Sequence, residues 1–217
     1  VNFVIAINKE TNLIDGIFGF LYCSQTEDCN KKDIWGSLWK VVDTRENIPF
    51  LGIELAKRAL EITGCRTHIG NGANPQTTIP LRRMFFKEKV GKMDHFYRLN
   101  PLINDFKIAV VKNKEVRNYS KNIEHINVIK FSNIEEIKKQ FSLENINYIP
   151  FKDYWYINKR FFNHPYYDYQ VYGVQNSQKE VKALLVLREV SERDRKVIRI
   201  MDFIGDQSLF GGLGEFF

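Results

Sequence analysis

The feature that most constrains this chain is a pattern written twice. Residues 7–22 (INKETNLIDGIFGFLY), followed by SLWKVVD at 37–43, match residues 174–190 (VQNSQKEVKALLVLREV), followed by VIRIMDF at 197–203. In each copy a polar turn joins two long apolar strands, a charged turn follows, and a third strand ends beside an acidic residue. Turn chemistry of that kind predicts an antiparallel meander. A repeat unit this long fits duplication of a domain better than a solenoid.

Between and after these strands the period changes. In the first half, strands are expected at 1–7, 14–22 and 34–42. A helix begins near Phe50, with Leu51, Leu55, Leu60 and Ile62 as its apolar face and Gly64 as its stop. A short β segment at 66–70 and a helix at 76–86 follow, the latter in spite of Pro80. A final strand is expected at 90–99. The order β-β-β-α-β-α-β gives a mixed α/β (α+β) class. Asn100-Pro101 with Asn104-Asp105 reads as a domain edge, which gives domains at 1–105 and 106–217. In the second half, strands are expected at 106–112, 126–131, 169–175, 181–190 and 197–204. Ser132 with Glu135 forms a capping box for a helix at 133–141. The aromatic-rich stretch 153–162 reads as helical.

Composition excludes several classes. No run of about 18 apolar residues is present, so no membrane span is expected, and no secretion signal is visible. Cys23, Cys29 and Cys65 show no CxxC spacing, which argues against a disulfide framework or a zinc site. The cytoplasm is the expected compartment. The net charge of +6 suits an anionic ligand such as a nucleotide or CoA; it suits weak contact with nucleic acid or acidic lipid, or a merely solvated surface, equally well. The chain opens inside a strand and closes on Phe216 and Phe217. Complete domains seldom do either, so further residues are expected at one or both ends.

Two stretches carry candidate chemistry. In WKVVDTRENIPFLGIEL (39–55) a strand runs through a loop into a helix, whose first N–H groups and dipole attract an anion. Gly52 permits close approach of a ligand, or serves packing alone. Arg45 adds a charge-assisted donor. In RTHIGNGANPQTTIPLRRMFF (66–86) a strand passes His68 into a loop. Asn74 and Thr77 are suited to capping the next helix and to holding amide or phosphate groups. Arg82-Arg83 reads as a solvated helix face. The later run YWYINKRFFNHPYYDYQVY has aromatics and cations enough to stack bases. The same spacing serves packing, which is favoured because no dense basic run accompanies it.

Taken together, a meander followed by strand–loop–helix twice resembles the GNAT superfamily of acyl-CoA N-acyltransferases. The likeness extends to tandem-GNAT proteins of bacterial surface-polysaccharide clusters. ENIPFLGIEL (46–55) stands where the family has R/Q-x-x-G-x-G/A, with Gly52 the one glycine kept. Asn74 opens the helix of the family's Asn-x-x-A segment, and Phe85-Phe86 replaces Gly-Phe. The resemblance covers residues 1–105 and, more weakly, 165–217 as a second copy cut short. It implies a mixed, mainly antiparallel sheet with flanking helices. It also implies acetyl-CoA or another acyl-CoA as co-substrate, no metal, and a small-molecule amine acceptor such as an amino sugar. Nucleic acid and membrane are not expected as partners, and room is left for a homodimer. The thioester carbonyl would meet backbone near Trp39, Lys40, Val41 and Val42, between splayed third and fifth strands. The pyrophosphate would lie on Phe50, Leu51, Gly52 and Ile53, with Arg45, Asn74 and Thr77 beside it. Candidate bases are His68 and His95, the latter with Asp94 to orient it. The family's tyrosine acid falls at Leu81, so Tyr97 serves or the thiolate leaves unaided. The eroded motif leaves open a non-catalytic GNAT-like module that binds a ligand or a protein.

Overall fold

The computed structural model describes residues 1–42, 48–112, 114 and 126–217. It is of the α+β class, with two mainly antiparallel sheets and flanking helices. Two compact units divide the chain: Val1–Met93 with Asn147–Tyr156, and Asp94–Ile146 with Ile157–Phe217. No helix among the described residues is long and apolar enough to cross a membrane.

The first unit opens with the expected meander. β1 (Asn2–Ile7), β2 (Ile14–Tyr22) and β3 (Asp33–Val41) pair in sequence, all antiparallel. α1 (Leu51–Thr63) follows and ends on Gly64 in the left-handed region. The buried face of α1 is Ile53, Leu55, Ala56, Ala59 and Thr63, and Ile62 points to solvent, against expectation. The two alanines explain the choice: small side chains let the helix lie close over Phe18 and Phe20. Burial of such a phenylalanine or leucine contributes roughly 1.5–3 kcal/mol. Thr63 turns its hydroxyl back to the Ala59 carbonyl at 2.7 Å.

β4 (Thr67–Ile69) then adds to β3 in parallel, but meets only Asp33, Ile34 and Trp35. α2 (Thr78–Phe86) tolerates Pro80 because that residue falls in the first turn, where an N–H has no helical partner. Residues 90–99 form no strand. Their apolar residues Met93 and Phe96 lie three apart and are exposed, so no period of two exists to bury. The segment Asn147–Tyr156 is tied to the sheet by Asp33. This fully buried carboxylate accepts Arg66 Nε at 3.1 Å, Arg66 Nη2 at 2.6 Å and the Phe151 N–H at 2.7 Å.

In the second unit β5 (Asn127–Phe131) leads to α3 (Ile134–Gln140). The cap of α3 is Asn133, one residue later than expected. Its side chain accepts from Glu136 N, while Glu136 accepts from Ser132 N. Residues 106–112 form no strand, and Val110 is almost wholly exposed. α4 (Tyr154–Ile157), whose first three residues belong to the first unit, continues as a π turn (Asn158–Phe162) in the second. β6 (Gln170–Gln175), β7 (Val181–Glu192) and β8 (Arg195–Gly205) extend the sheet as β5-β6-β7-β8. A 3-10 segment, Gln207–Glu215, follows at once and places Leu209 and Leu213 on Val174, Ala183, Leu185 and Leu187.

The two meanders share their irregularities. The register slips after Ala6 in β1 and after Val174 in β6, opposite Gly16 and Ala183. It slips again after Gly19 in β2 and after Val186 in β7. Asn8 and Asn176 each start the first hairpin turn, their side chains accepting backbone N–H groups. Val42 N donates to Asp15 O at 2.8 Å, and Asp206 N donates to Lys182 O at 2.9 Å at the matching position.

Candidate functional site

The parallel pairing of β3 with β4 stops early. β4 ends at Ile69, while β3 runs on to Val41 with no strand on that side from Gly36 onward among the described residues. The expected fifth strand is not formed, so the fork, the end of the β3–β4 pairing, lies just past Trp35 and Ile69. His68, paired with Ile34 inside it, turns a side chain about nine-tenths buried toward Gly36. Phe18 meets the imidazole edge to face at 5.6 Å.

A carboxylate that sequence reasoning missed holds this ring. Lys87 ends α2 in a left-handed conformation, which turns the chain back. Glu88 then accepts from both sides: His68 Nδ1 lies 2.9 Å from Oε1, and Arg82 Nη1 lies 2.8 Å from Oε2. No motif announces a lysine at a left-handed cap, so the sequence carried no signal for Glu88. Arg82 is likewise not solvated. Its side chain is 12% exposed, and its guanidinium stands 5.8 Å over the Trp39 ring. Burial pushes the Glu88 carboxyl up. The hydrogen bonds from His68 and Arg82, with their charges, outweigh that and hold it below the usual range.

The bonding fixes what His68 offers. With Nδ1 on the carboxylate, a neutral imidazole carries its proton there and leaves Nε2 as an acceptor. That nitrogen is buried and has no hydrogen-bond partner. It faces Gly36, where an added Cβ would lie 2.7 Å away. A buried polar atom left unsatisfied is rare and marks strain or a functional position.

The helix start beside the fork is occupied on one face. Trp39 Nε1 donates to the Gly52 carbonyl at 2.9 Å, and a Cβ on Gly52 would fall 2.9 Å from the same nitrogen. Glycine is needed here so that the indole can lie on the first turn. Phe50 precedes α1 in the left-handed region, without a side-chain cap, and meets Phe85 at 5.4 Å. Leu51 is half-buried and Ile53 buried. Lys40 and Val42 are exposed, and Val41 is half-buried. Asn74 spends its side chain on Gln76 N and Thr77 N, and its carbonyl on Ile79 N, which shapes the turn into α2. Thr77 occupies the cap position without a side-chain bond. Arg45 lies outside the described residues.

The structure therefore brings His68, Trp39 and Gly52 together, linked through Arg82 and Glu88. His95 and Tyr97 belong to the second unit, where both are exposed, with ring centroids 6.2 Å apart. Among the described residues no group of His, Cys, Asp or Glu is arranged to hold a metal ion. No protein-family model matches this chain, and no curated protein matches it in sequence.

Proposed function

We propose that the first unit is a GNAT-like acyl-CoA N-acyltransferase domain, acting on a small amine such as an amino sugar. The observation that carries the reading is the imidazole at the fork: His68 is oriented by Glu88, and its buried, unpartnered Nε2 lies against Gly36, next to the end of the β3–β4 pairing. Beyond that end β3 has no neighbouring strand on this side among the described residues, which leaves its backbone N–H and C=O groups for a pantetheine-like amide chain. An acyl carbonyl bound there would lie along Lys40 to Val42, and the start of α1 would face the diphosphate.

In this scheme the amine nitrogen attacks the thioester carbon and the C–S bond breaks. His68 Nε2 takes the amine proton, and the electron pair leaves on sulfur as thiolate. Glu88 holds the imidazolium so formed by the charge-assisted bond to Nδ1. The matching slips of the two meanders support a duplicated fold, with a 3-10 segment after the third strand of the second copy where α1 follows β3 in the first.

Titration calorimetry of the full chain with acetyl-CoA, followed by thiol release with a panel of amino sugars, tests this. His68→Gln is expected to lower kcat by about 10²–10⁴-fold while leaving acetyl-CoA affinity unchanged. Absence of any heat with acetyl-CoA overturns the reading. A second reading is a non-catalytic module of the same fold. It is favoured by the Trp39 indole, which already fills the face that Gly52 leaves open. Acetyl-CoA binding without thiol release for any acceptor decides for it.

A further inference from the structure

The aromatic run of the second unit is not all packing. Ile157 and Phe161 are buried, but Tyr166 is 85% exposed and Tyr167 46% exposed. His164 explains how the tyrosines are held. Its Nδ1 accepts from Tyr166 N at 3.2 Å and from Tyr167 N at 3.1 Å, which folds the segment into a tight turn. The imidazole then stacks on Tyr167, with centroids 5.0 Å apart and planes 25° apart. Tyr169 closes the group edge-on against His164 at 5.5 Å and against Phe161 at 5.3 Å.

Two arginines converge on this platform. Arg188, from β7, lies 3.7 Å over the Tyr167 ring, and Arg160, from the π turn, lies 5.8 Å over Tyr169. Neither has a carboxylate partner among the described residues; Asp168, exposed on the same turn, pairs with neither. Lying over rings and not on carboxylates, these guanidinia keep N–H donors available for a phosphate. Two like charges gathered without a counter-ion favour an anion from solution. The His164 imidazole is held below its usual pKa by burial and then by these two charges, so it stays neutral and a good stacking partner.

We infer that Arg160, Arg188 and the exposed Tyr166 ring form a binding site for a nucleoside phosphate, with the phosphate on the guanidinia and the base stacked on Tyr166, Tyr167 being covered by Arg188 and His164. A simple anion would have no use for the exposed ring, and a neutral aromatic would have none for the unpaired cations. Free nucleotides and single-stranded nucleic acid share this chemistry. The site is independent of the acyl-transfer reading of the first unit.

The test is calorimetry of the full chain with uridine 5′-monophosphate, uridine, inorganic phosphate and short oligouridylates. The monophosphate is expected to bind more tightly than either uridine or phosphate alone. Tyr166→Ala and Arg160→Gln, both surface changes that leave the fold intact, are each expected to weaken it about tenfold. Affinity that rises with oligomer length assigns the site to a strand, and equal affinity per site assigns it to a free nucleotide. No heat with the monophosphate at millimolar concentration overturns the inference. So does binding that neither variant weakens.

Discussion

The two meanders share their register slips and turn chemistry but are finished in two ways. Gly16, Phe18 and Phe20 of β2 match Ala183, Leu185 and Leu187 of β7, and both sets face the element that follows the third strand. In the first unit that element is the 13-residue α1, which starts at Leu51; in the second it is a 3-10 segment that begins at Gln207, directly after β8. The opposite faces differ more. Phe3, Ile5 and Leu38 are exposed, whereas Val171, Leu184 and Val186, at or beside the matching positions, are fully buried. There β5 adds a strand outside β6, and Phe131 lies over Gly173. Sheet register is thus set by the strands and their turns, while burial is set by what the neighbouring segments bring.

The sharpest way to break the comparison is at the end of the third strand. Val41 of β3 matches Gly205 of β8. Gly205 has φ 129°, and a Cβ there would lie 2.3 Å from the Lys182 carbonyl oxygen. Gly205→Val forces both strain and overlap, so roughly 3–5 kcal/mol of destabilisation is expected. Hydrogen exchange should show it in β6–β8, with β1–β3 unchanged. Equal protection in wild type and variant would mean that the direct turn into the 3-10 segment is not held by this residue.

A somewhat smaller effect is expected where the third strands begin. Asp33 is buried and bound to Arg66 and Phe151 N, while the matching Val197 is a half-exposed hydrophobe. Asp33→Ala leaves a guanidinium and an N–H without their acceptor. About 2–4 kcal/mol is expected, less than for a fully buried pair because Arg66 is partly exposed. Urea unfolding measures it, and Val197→Ala serves as the near-silent control.

Gly36 comes third. It matches the exposed Ile200 of the edge strand β8, which pairs with β7 and has no strand on its outer side among the described residues. Gly36→Ala pushes a methyl into His68 Nε2, at an expected cost of about 1–3 kcal/mol. The imidazole resonances should move with it. Unmoved His68 signals would show that the ring is not pressed against β3.

How much of this was legible beforehand follows a physical line. Turns and strands whose pattern is local, such as Asn8 with Ile14 or Asn176 with Val181, were readable because side chain and backbone decide them within a few residues. The class and both meanders came from these. Residues 90–99 and 106–112 misled, because apolar content without a partner strand does not make a strand. His68 was visible as a residue type. Its partners Glu88 and Arg82 were not, since their meeting depends on a left-handed Lys87 and on the packing of α2 against Trp39. Gly52 invited a ligand reading, although the indole that fills its place lies in the preceding strand.

The smallest expected effect concerns charge. In the second unit the carboxylates held low, Glu180, Glu189, Asp194 and Asp206, are all at the surface. In the first unit Glu88 is half-desolvated. Burial raises its pKa, but His68 and Arg82 together bring it below the ordinary value of 4.5. A carboxyl whose folded pKa lies below its unfolded one contributes stability that is complete above the unfolded value, and that is lost as pH falls through the folded one. The stability gap between wild type and Glu88→Gln is therefore expected to be constant above about pH 5.5 and to shrink below about pH 4.5. Salt should separate the two units: 1 M sodium chloride screens the exposed pairs strongly and the Glu88 cluster weakly, so the gap should persist at high salt. A gap that ignores pH would show that Glu88 acts through shape alone, and one abolished by salt would place its partners in solvent.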